Sequence, residues 1–404
     1  MKLCTSNQYL LSVSSKALLF FSLVVFIGFT SCKKEQKNSL RTIDLVHAGK
    51  AQKVNLSQFA SGISYIPLST SKTNLLNSIF NVVRTQDSYI ISDFQHLFQF
   101  SPDGQFQGEI GHKGKGPREF IYANDFSVDQ STGLINVLGS KNIIQVYGKK
   151  GEWVKTIKID KSYGFIMAIQ CWKGNLLCSL DNSSGDNPYE LLWLNSAGNV
   201  IKAFKNDYTF KKEDSAVLVF MNEFLFYPYD GKLEIKGIHS DTVQTFHDGG
   251  FTPRFVFEQG QEKFTPEVRG SGKSYMNNSG DYIFIGQLFE TSNYLWTAYG
   301  LHQEGHFFVV GKDSDKQFSF DAKTGLTDDL DGGPNFIPKR ELTIDGQEYL
   351  LGWITPLELK TYVSSDDFSH AKALLPEKKR QLEALADRLN ENDNPVLVLA
   401  RLKD

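Results

Sequence analysis

Short runs of alternating apolar and polar residues, separated by turn residues, recur along most of the chain. Three segments share one pattern: "FSPDGQF" around Gly104, "YGKKGEW" around Gly151 and "LNSAGNV" around Gly198. The glycines are 47 residues apart in both intervals (151 − 104 and 198 − 151). In each segment an apolar strand end leads into turn residues, a glycine and a second apolar residue. This pattern predicts a β-hairpin, because glycine supplies the positive φ that the turn needs.

Further strands are predicted on both sides of each glycine. "YIISD", "LINVL" and "LLCSL" precede the three turns, and "FQGEIG", "WVKTIKI" and "VIKAF" follow them. With one initial strand, each period holds four strands. A four-stranded unit that repeats every 40–50 residues or so is typical of a β-propeller blade.

The repeat blurs after residue 204, although the density of predicted strands stays high. "VLVFMNEFLFYPYDGKLEIKG" and "DTVQTF…PRFVFEQG" predict a fourth blade, and "YIFIGQLFE", "YLWTAYG", "HFFVVGK" and "QFSF" predict a fifth. "LTIDGQEYLLGWI" gives a shorter sixth, which we expect "ISYIPL" from Ile63 to complete. That closure would cover an exposed strand edge. The predicted fold is an all-β, six-bladed β-propeller of four-stranded antiparallel blades with a short C-terminal helix.

The helix is predicted beyond residue 360, where the strand pattern ends. In "PEKKRQLEALADRLNEND", Leu382, Leu385 and Leu389 recur at helical spacing, and Pro376 suits a first helical turn. We expect the leucine face to pack on the propeller. The expected organisation is a leader over 1–31, a tether and lead-in over 32–58, the propeller over 59–360, and a helix and tail over 361–404.

The N-terminus has the features of an export leader. Lys2 and Lys16 precede the apolar run "ALLFFSLVVFIGF", which is shorter than the roughly 20 residues that cross a bilayer as a helix. The following "FTSC" resembles a bacterial lipobox, which implies cleavage before Cys32 and lipidation of its thiol. Ordinary cleavage beside an incidental cysteine is the alternative. The expected location is the outer membrane, on its periplasmic or surface side.

Composition excludes one class of partner. Without residues 1–31 the chain loses two lysines and no acidic residue, so its net charge is 41 − 46 = −5. Nucleic-acid binding needs a basic face, so it is not expected.

Two of the four cysteines remain in the propeller, in "CWKGNLLC". A hairpin turn at Gly174-Asn175 would place Cys171 opposite Cys178, at a spacing compatible with a disulfide. Two buried free thiols are the equal alternative, because a shift of one residue in register separates the pair.

The glycine-rich stretch "GHKGKGPREF" has a phosphate-loop composition. Pro117 and Arg118, however, occupy the positions where a P-loop has Lys and Ser or Thr, and no helix pattern follows. The stretch lies between the last strand of one blade and the first strand of the next. We therefore interpret it as an inter-blade loop.

These motifs together resemble a family of Gram-negative lipoproteins with six-bladed, NHL-like propellers. The resemblance rests on "GKGPREF" (Gly114, Gly116, Pro117, Arg118, Glu119), "ISYIPLSTS", "SDTVQTF", "PRFVFEQG" and "NDNPVLVLARLK". It implies the fold and the lipid anchor but no activity. Arg118 and Glu119 are expected to form an inter-blade ion pair.

The sequence carries little that predicts catalysis. His302 and His306 in "HQEGH" have metal-like spacing, but Gly305 and the polar surroundings indicate a hairpin tip. "DLDGG" and "DGGPNF" lack the alternating oxygen ligands of a calcium loop, and are interpreted as turns. No cofactor is predicted, and no serine can be linked to a catalytic histidine and acid.

Two functions remain as hypotheses. The favoured one is a membrane-anchored binding or scaffold protein that recognises a glycan, a peptide or an envelope protein through loops around a shallow pocket. The alternative is a metal-dependent propeller enzyme of the lyase or lactonase type, with its site in the central channel. The aromatic and histidine candidates for ligand contact, each also a candidate packing residue, are Phe94, His96, Tyr122, Trp172, Tyr189, Tyr294 and Trp296.

Overall fold

Six four-stranded blades, one of them extended by a fifth strand, are arranged in a ring in the computed structural model of the chain, which describes residues 40–140 and 142–403. The predicted all-β, six-bladed propeller is thereby confirmed. The leader, Cys32 and the start of the tether lie outside the described residues. No helix in the described part is long and apolar enough to span a membrane.

The first three blades follow the 47-residue repeat. Two strands precede them in the chain, β1 (Arg41–Asp44) and β2 (Ala60–Pro67). The first blade contains β3 (Asn81–Arg84), β4 (Tyr89–Ser92), β5 (Leu97–Phe100) and β6 (Phe106–Glu109). The second contains β7 (Asp125–Val128), β8 (Ile135–Leu138), β9 (Ile143–Tyr147) and β10 (Trp153–Lys158). The third contains β11 (Ile166–Trp172), β12 (Asn175–Leu180), β13 (Tyr189–Leu194) and β14 (Val200–Lys205).

The fourth and fifth blades keep the same order of strands. The fourth contains β15 (Phe224–Tyr229), β16 (Lys232–Gly237), β17 (Thr242–His247) and β18 (Gly250–Glu258), and β1 adds to its outer edge in parallel to β18. The fifth contains β19 (Phe284–Glu290), β20 (Tyr294–Leu301), β21 (Glu304–Gly311) and β22 (Gln317–Asp321). The apolar run at Val217–Phe220, expected to begin the fourth blade, forms no strand.

The sixth blade joins the two ends of the propeller. It contains β23 (Arg340–Ile344), β24 (Gln347–Ile354) and β25 (Val396–Leu402), with β2 as its outermost strand. The predicted closure by "ISYIPL" is therefore correct. The expected boundary at residue 360 left β25 in a tail outside the propeller, whereas β25 pairs with both β24 and β2.

Short helices occupy two of the connections. Between β18 and β19 lie α1 (Pro266–Gly270) and α2 (Gly272–Asn278). Between β24 and β25 lie α3 (Pro356–Val363), α4 (Asp366–His370) and α5 (Pro376–Arg388). The predicted C-terminal helix is α5: Pro376 is at its first position, and Leu382 and Leu385 are buried against Leu359 and Phe368. Single 3₁₀ turns cover Leu56–Gln58, Lys161–Tyr163, Gly260–Glu262 and Ser279–Asp281.

The hydrophobic core lies between neighbouring blades. One cluster, for example, joins Tyr89 and Phe100 of the first blade to Leu351 and Leu399 of the sixth. The repeated glycines contribute to the same packing. A Cβ at Gly104, Gly151 or Gly198 would overlap atoms of the preceding blade, so each of these hairpin turns packs directly against its neighbour.

Candidate functional site

The first strand of every blade lines a central channel. We call the face at which these strands begin the upper face and the opposite one the lower face. The channel holds a main cavity of about 780 Å³ and a lower cavity of about 690 Å³. The two share a set of lining residues that includes Arg340 and Glu341 of β23. The main cavity has a volume typical of small-ligand sites.

Two carboxyl groups in this channel hold their protons unusually tightly. The Asp125 carboxylate accepts hydrogen bonds from the amides of Phe126 (2.9 Å) and Ile169 (2.8 Å), yet burial raises the pKa of Asp125 to about 7. Burial likewise raises the pKa of Glu341 to about 7. Near neutral pH both groups are therefore only partly ionised, and such perturbed groups in a cleft are frequent at functional sites.

A guanidinium group is held beside them. Arg340 reaches from the sixth blade to the first, where its Nη1 donates to Asn81 Oδ1 (3.1 Å) and to the Val82 carbonyl. Its Nε is buried and has no hydrogen-bond partner among the described residues. The positive charge of Arg340 opposes the burial that raises the pKa of Asp125. The channel thus contains a fixed cation and two weakly acidic carboxyls.

Three aromatic side chains stand at the upper rim. Phe80, which is 51% exposed, lines the main cavity. Its ring lies 5.7 Å from that of Phe94, which stacks on Tyr122 at 5.4 Å with an interplanar angle of 26°. Tyr122 is 44% exposed. We call Phe80, Phe94 and Tyr122 the rim aromatics.

The backbone turns sharply to hold Phe94 in this position. Phe94 has φ of 73°, a left-handed conformation that is rare for a bulky residue and usually requires support from its surroundings. The support comes from Ser92 Oγ, which accepts from the Phe94 amide at 3.0 Å, and from Asp93, which accepts from the amides of Gln95 and His96. Local strain at this half-buried aromatic residue supports a functional role.

The upper face is also the apolar face of the molecule. Fourteen large apolar side chains in the described part are exposed, and ten of them lie in connections that reach the upper face. The other four lie in outer strands or at the N-terminal end: Leu40, Trp153, Val154 and Ile201.

The glycine-rich loop holds a carboxylate of its own chain. Glu119 accepts from the Gly116 amide at 2.7 Å, and a Cβ at Gly114 or Gly116 would overlap that carboxylate. The Glu119 side chain occupies the space inside the loop that a phosphate would need, and the loop joins the first and second blades as predicted. The expected ion pair was wrong: Arg118 stacks on Trp153 instead, with its guanidinium carbon 4.6 Å from the ring centroid.

The cysteine hairpin differs from the prediction by one residue. Its turn is Lys173-Gly174, with φ of 47° and 77°, so Cys171 lies opposite Leu176 and Cys178 opposite Ile169. Both thiols are buried and free. The register was wrong because a two-residue turn with two positive φ angles needs glycine at its second position, which places Gly174 last.

The remaining ligand candidates lie mostly within the packing. Trp296 is fully buried, and Tyr294 and Tyr189 pack against core clusters. His96 stacks on Phe98 at 5.3 Å, while Trp172 lines the main cavity. Only Phe94 and Tyr122 of the predicted set lie together at the rim.

The histidine pair is separated by the hairpin. The two-residue tip is His302-Gln303, as the sequence indicated, and His306 lies on β21 and stacks on Tyr299 at 5.1 Å. Over residues 40–140 and 142–403, no group of three or more His, Cys, Asp or Glu side chains is placed to hold a metal ion. The metal-dependent alternative has no candidate ligand set in that part of the chain.

The "DLDGG" segment is a turn, but a buried one. Asp328 accepts from the amides of Leu330 and Asp331, and Asp331 accepts from the Gly333 amide. The Tyr65 hydroxyl lies 3.5 Å from Asp328 and 3.4 Å from Asp331. Burial, followed by the charge of the neighbouring carboxylate, raises the pKa of Asp328 well above its ordinary value. Through Tyr65 the segment contacts β2, so it links the connection between the fifth and sixth blades to the outermost strand of the sixth.

Sequence reasoning did not single out Phe80, Asp125, Arg340 and Glu341. The available signal was positional: each lies in, or immediately before, the first strand of a blade. Since first strands line the channel of a propeller, polar residues there are candidates for the site even without a motif.

The ring of six four-stranded blades around a channel makes the chain a six-bladed β-propeller protein. It belongs to the family described as "Domain of unknown function (DUF4934)", whose model matches residues 40–401. No curated protein matches the chain in sequence.

One solved structure shares the fold, and others match more weakly. The chain is similar to a "Putative exported protein" from Bacteroides fragilis NCTC 9343, with 17% identity and a TM-score of 0.65 over 91% of this chain and 100% of that one. A protein of unknown function from Bacteroides caccae matches at 13% identity and TM-score 0.37, over 60% of this chain and 81% of that one. BamB from Moraxella catarrhalis matches at 9% identity and TM-score 0.41, over 84% and 98%.

Proposed function

We propose that the chain is an exported, lipid-anchored propeller of the cell envelope that binds a glycan at the upper mouth of its channel. The observation that carries the proposal is the continuity of the rim aromatics with the main cavity. Flat exposed rings provide stacking surface for sugar rings, and the polar groups below provide hydrogen bonds that fix orientation.

Export and anchoring rest on other observations. The leader and the lipobox-like "FTSC" support cleavage before Cys32 and attachment to the outer membrane, and the Bacteroides fragilis neighbour is itself described as exported. The test is expression of the full chain and of Cys32→Ser in a Gram-negative host. Lipidation predicts that the parent chain loses residues 1–31 and carries a lipid mass at Cys32, whereas Cys32→Ser carries no lipid and keeps its uncleaved leader. A parent chain without a lipid mass at Cys32 would refute the anchor.

Glycan binding is tested with residues 33–404, which contain the entire described ring. Thermal unfolding is measured with a panel of oligosaccharides and of short peptides. A ligand at 100 times its dissociation constant stabilises by about 2.7 kcal/mol, which is a visible shift. Tyr122→Ala and Phe80→Ala are expected to remove the shift, while Ile201→Ala, equally exposed on an outer strand, is expected to retain it. A thermal shift with peptides alone would show that the ligand is a peptide and not a glycan.

A scaffold role is the second candidate, because exposed apolar side chains concentrate on the upper face. Val217 and Val219 are 56% and 58% exposed there. If this face contacts an envelope protein, Val217→Asp with Val219→Asp should abolish cross-links formed in intact membranes, and Val154→Asp should preserve them. Equal cross-linking in all variants would exclude the role.

A further inference from the structure

We propose that Arg340 recognises a carboxylate of the bound sugar chain, so that the ligand is an acidic, uronic-acid-bearing glycan. The inference deepens the proposed function and rests on it. It concerns the middle of the channel, where Arg340 lines both cavities below the rim aromatics.

The first argument is the geometry of the guanidinium group. Asn81 and the Val82 carbonyl both bond to Nη1 and so fix the group in one orientation. The opposite edge, formed by Nε and Nη2, has no hydrogen-bond partner among the described residues, and Nε is buried. Because Nε has no accessible surface, a ligand in the channel can reach this edge only at Nη2, whose N–H groups can donate to a carboxylate oxygen. The guanidinium group therefore offers the channel a positively charged donor.

The second argument is the charge around Arg340. Neither Asp125 nor Glu341 forms an ion pair with it within the described ranges, although both line the same cavity. Because these carboxyls are largely protonated below neutral pH, they do not cancel the arginine charge there, and they can donate hydrogen bonds to an anion. The other charged groups of the two cavities are Asp129, Lys173, Lys339, Arg84, Asp230, Glu290, Asp345 and Glu348.

The ligand chemistry follows from this balance. Acidic side chains outnumber basic ones along the two cavities, so the channel suits a monoanion better than phosphate, which at neutral pH carries up to two charges. Two sources of carboxylate remain, a uronic acid and the C-terminus of a peptide. The stacked rings at the rim favour the sugar, and the experiment separates the two.

The experiment measures binding to residues 33–404 by calorimetry. The probes are trigalacturonate and the same trisaccharide with its carboxylates reduced to alcohols, together with a tripeptide in acid and amide forms. The protein variants are Arg340→Gln, Arg340→Lys and, as a charge-matched control, Arg401→Gln, whose side chain is exposed on β25. Circular dichroism verifies that each variant is folded.

Trigalacturonate is expected to bind about tenfold to a hundredfold more tightly than its reduced form, the range for hydrogen bonds to charged groups. Arg340→Gln should remove this preference, Arg340→Lys should keep a small part of it, and Arg401→Gln should preserve it. The affinity for trigalacturonate should also fall from pH 6 to pH 8 as Asp125 and Glu341 ionise, and Asp125→Asn should reduce that fall. The pH series keeps the proposal testable if Arg340→Gln does not fold.

Equal affinity for the acidic and the reduced trisaccharide, or no binding of the acidic one, would overturn the inference. In either case the proposed glycan function would still stand if the reduced trisaccharide bound and Tyr122→Ala abolished that binding. Arg340-dependent binding of the peptide acid alone would retain the carboxylate site but overturn its assignment to a glycan.

Discussion

At the scale of single residues, the recurring glycines have two separate roles. Gly104, Gly151 and Gly198 have positive φ, and each also lies where a side chain would meet the preceding blade. Gly174 has positive φ as well, but no atom lies within 4 Å of the position that its Cβ would occupy. The two roles, backbone conformation and close packing, can therefore be measured independently.

We expect Gly198→Ala to destabilise the protein more than Gly174→Ala. Both substitutions place a side chain at positive φ, which costs about 1 kcal/mol. Only Gly198→Ala also forces the new methyl group against Ile157 of the second blade, which adds overpacking of about 1–3 kcal/mol. Denaturant unfolding measures both losses. Equal losses would show that the inter-blade contact contributes nothing.

The thiols of Cys171 and Cys178 should be unreactive in the native protein. Cys171 is 8% exposed and Cys178 is fully buried, and burial raises the pKa of Cys171 to about 12. Since the thiolate is the reactive form, modification by iodoacetamide should require unfolding. The measurement is mass spectrometry of residues 33–404 after labelling with and without denaturant. Rapid native labelling, or a mass two units lower that indicates a disulfide, would contradict the structure.

At the scale of elements, an ion network joins the fourth and fifth blades. Arg254 of β18 donates to both oxygens of Glu290 on β19, at 3.0 and 2.7 Å, and its Nη1 lies 3.3 Å from Glu234. Lys312 contacts Glu290 at 3.0 Å, and the Tyr227 hydroxyl donates to the same carboxylate. Both glutamates are almost completely buried, so their charges depend on these partners.

Arg254→Met should lower the free energy of unfolding by about 3 kcal/mol, because removal of one partner leaves buried carboxylates uncompensated. Arg401→Met, on an exposed strand position, should change it by less than about 0.5 kcal/mol. Urea unfolding of the two variants provides the comparison. A loss for Arg254→Met no larger than that of the control would mean that Lys312 alone is sufficient.

The elements that the sequence predicted best are those with a local signal. The first three blades follow from glycines at a constant interval, because a hairpin turn is specified by a few adjacent residues. The fourth blade was less regular, since its equivalent turn glycine, Gly249, comes 51 residues after Gly198 (249 − 198). β25 was taken for a tail because the helical insertion separates it from its partner β24 in the chain.

The candidate site was harder to predict for the same physical reason. Phe94 and Tyr122 were noticed as aromatic residues in loops, but their contact joins two blades and has no local pattern. Arg340 and Asp125 lie far apart in the sequence and share a cavity only after the ring has closed. Composition and spacing do not contain that information.

At the scale of the whole molecule, the channel carboxyls make stability depend on pH. The pKa of Asp125 rises on folding from an ordinary value of 3.8 to about 7, and that of Glu341 from 4.5 to about 7. Between these values the folded state binds more protons than the unfolded state. The free energy of unfolding from this source therefore decreases as pH rises from about 4 to 7, and stays low above 7.

We expect Asp125→Asn to reduce this pH dependence. The asparagine side chain cannot ionise, but its single carbonyl oxygen can accept from only one of the Phe126 and Ile169 amides, so the variant should also lose some stability at both pH values. Urea unfolding at pH 5 and pH 8 should show a smaller difference in the variant than in the parent protein. Asp103→Asn, at an exposed turn, serves as the control and should leave the difference unchanged. A parent protein that is equally stable at both pH values, with an unchanged variant, would contradict the assignment.

The order in which the chain is made also matters for this ring. In the sixth blade Ala60 pairs with Leu402, one of the first strands of the propeller with the last. During synthesis the first five blades therefore emerge while the ring is still open, and β2 can pair only after β25 has been made. Contacts across such a long stretch of sequence form slowly. Pairing of β25 with β24 and β2 closes the ring. A chain interrupted before β25 therefore stays an open arc with unpaired strand edges.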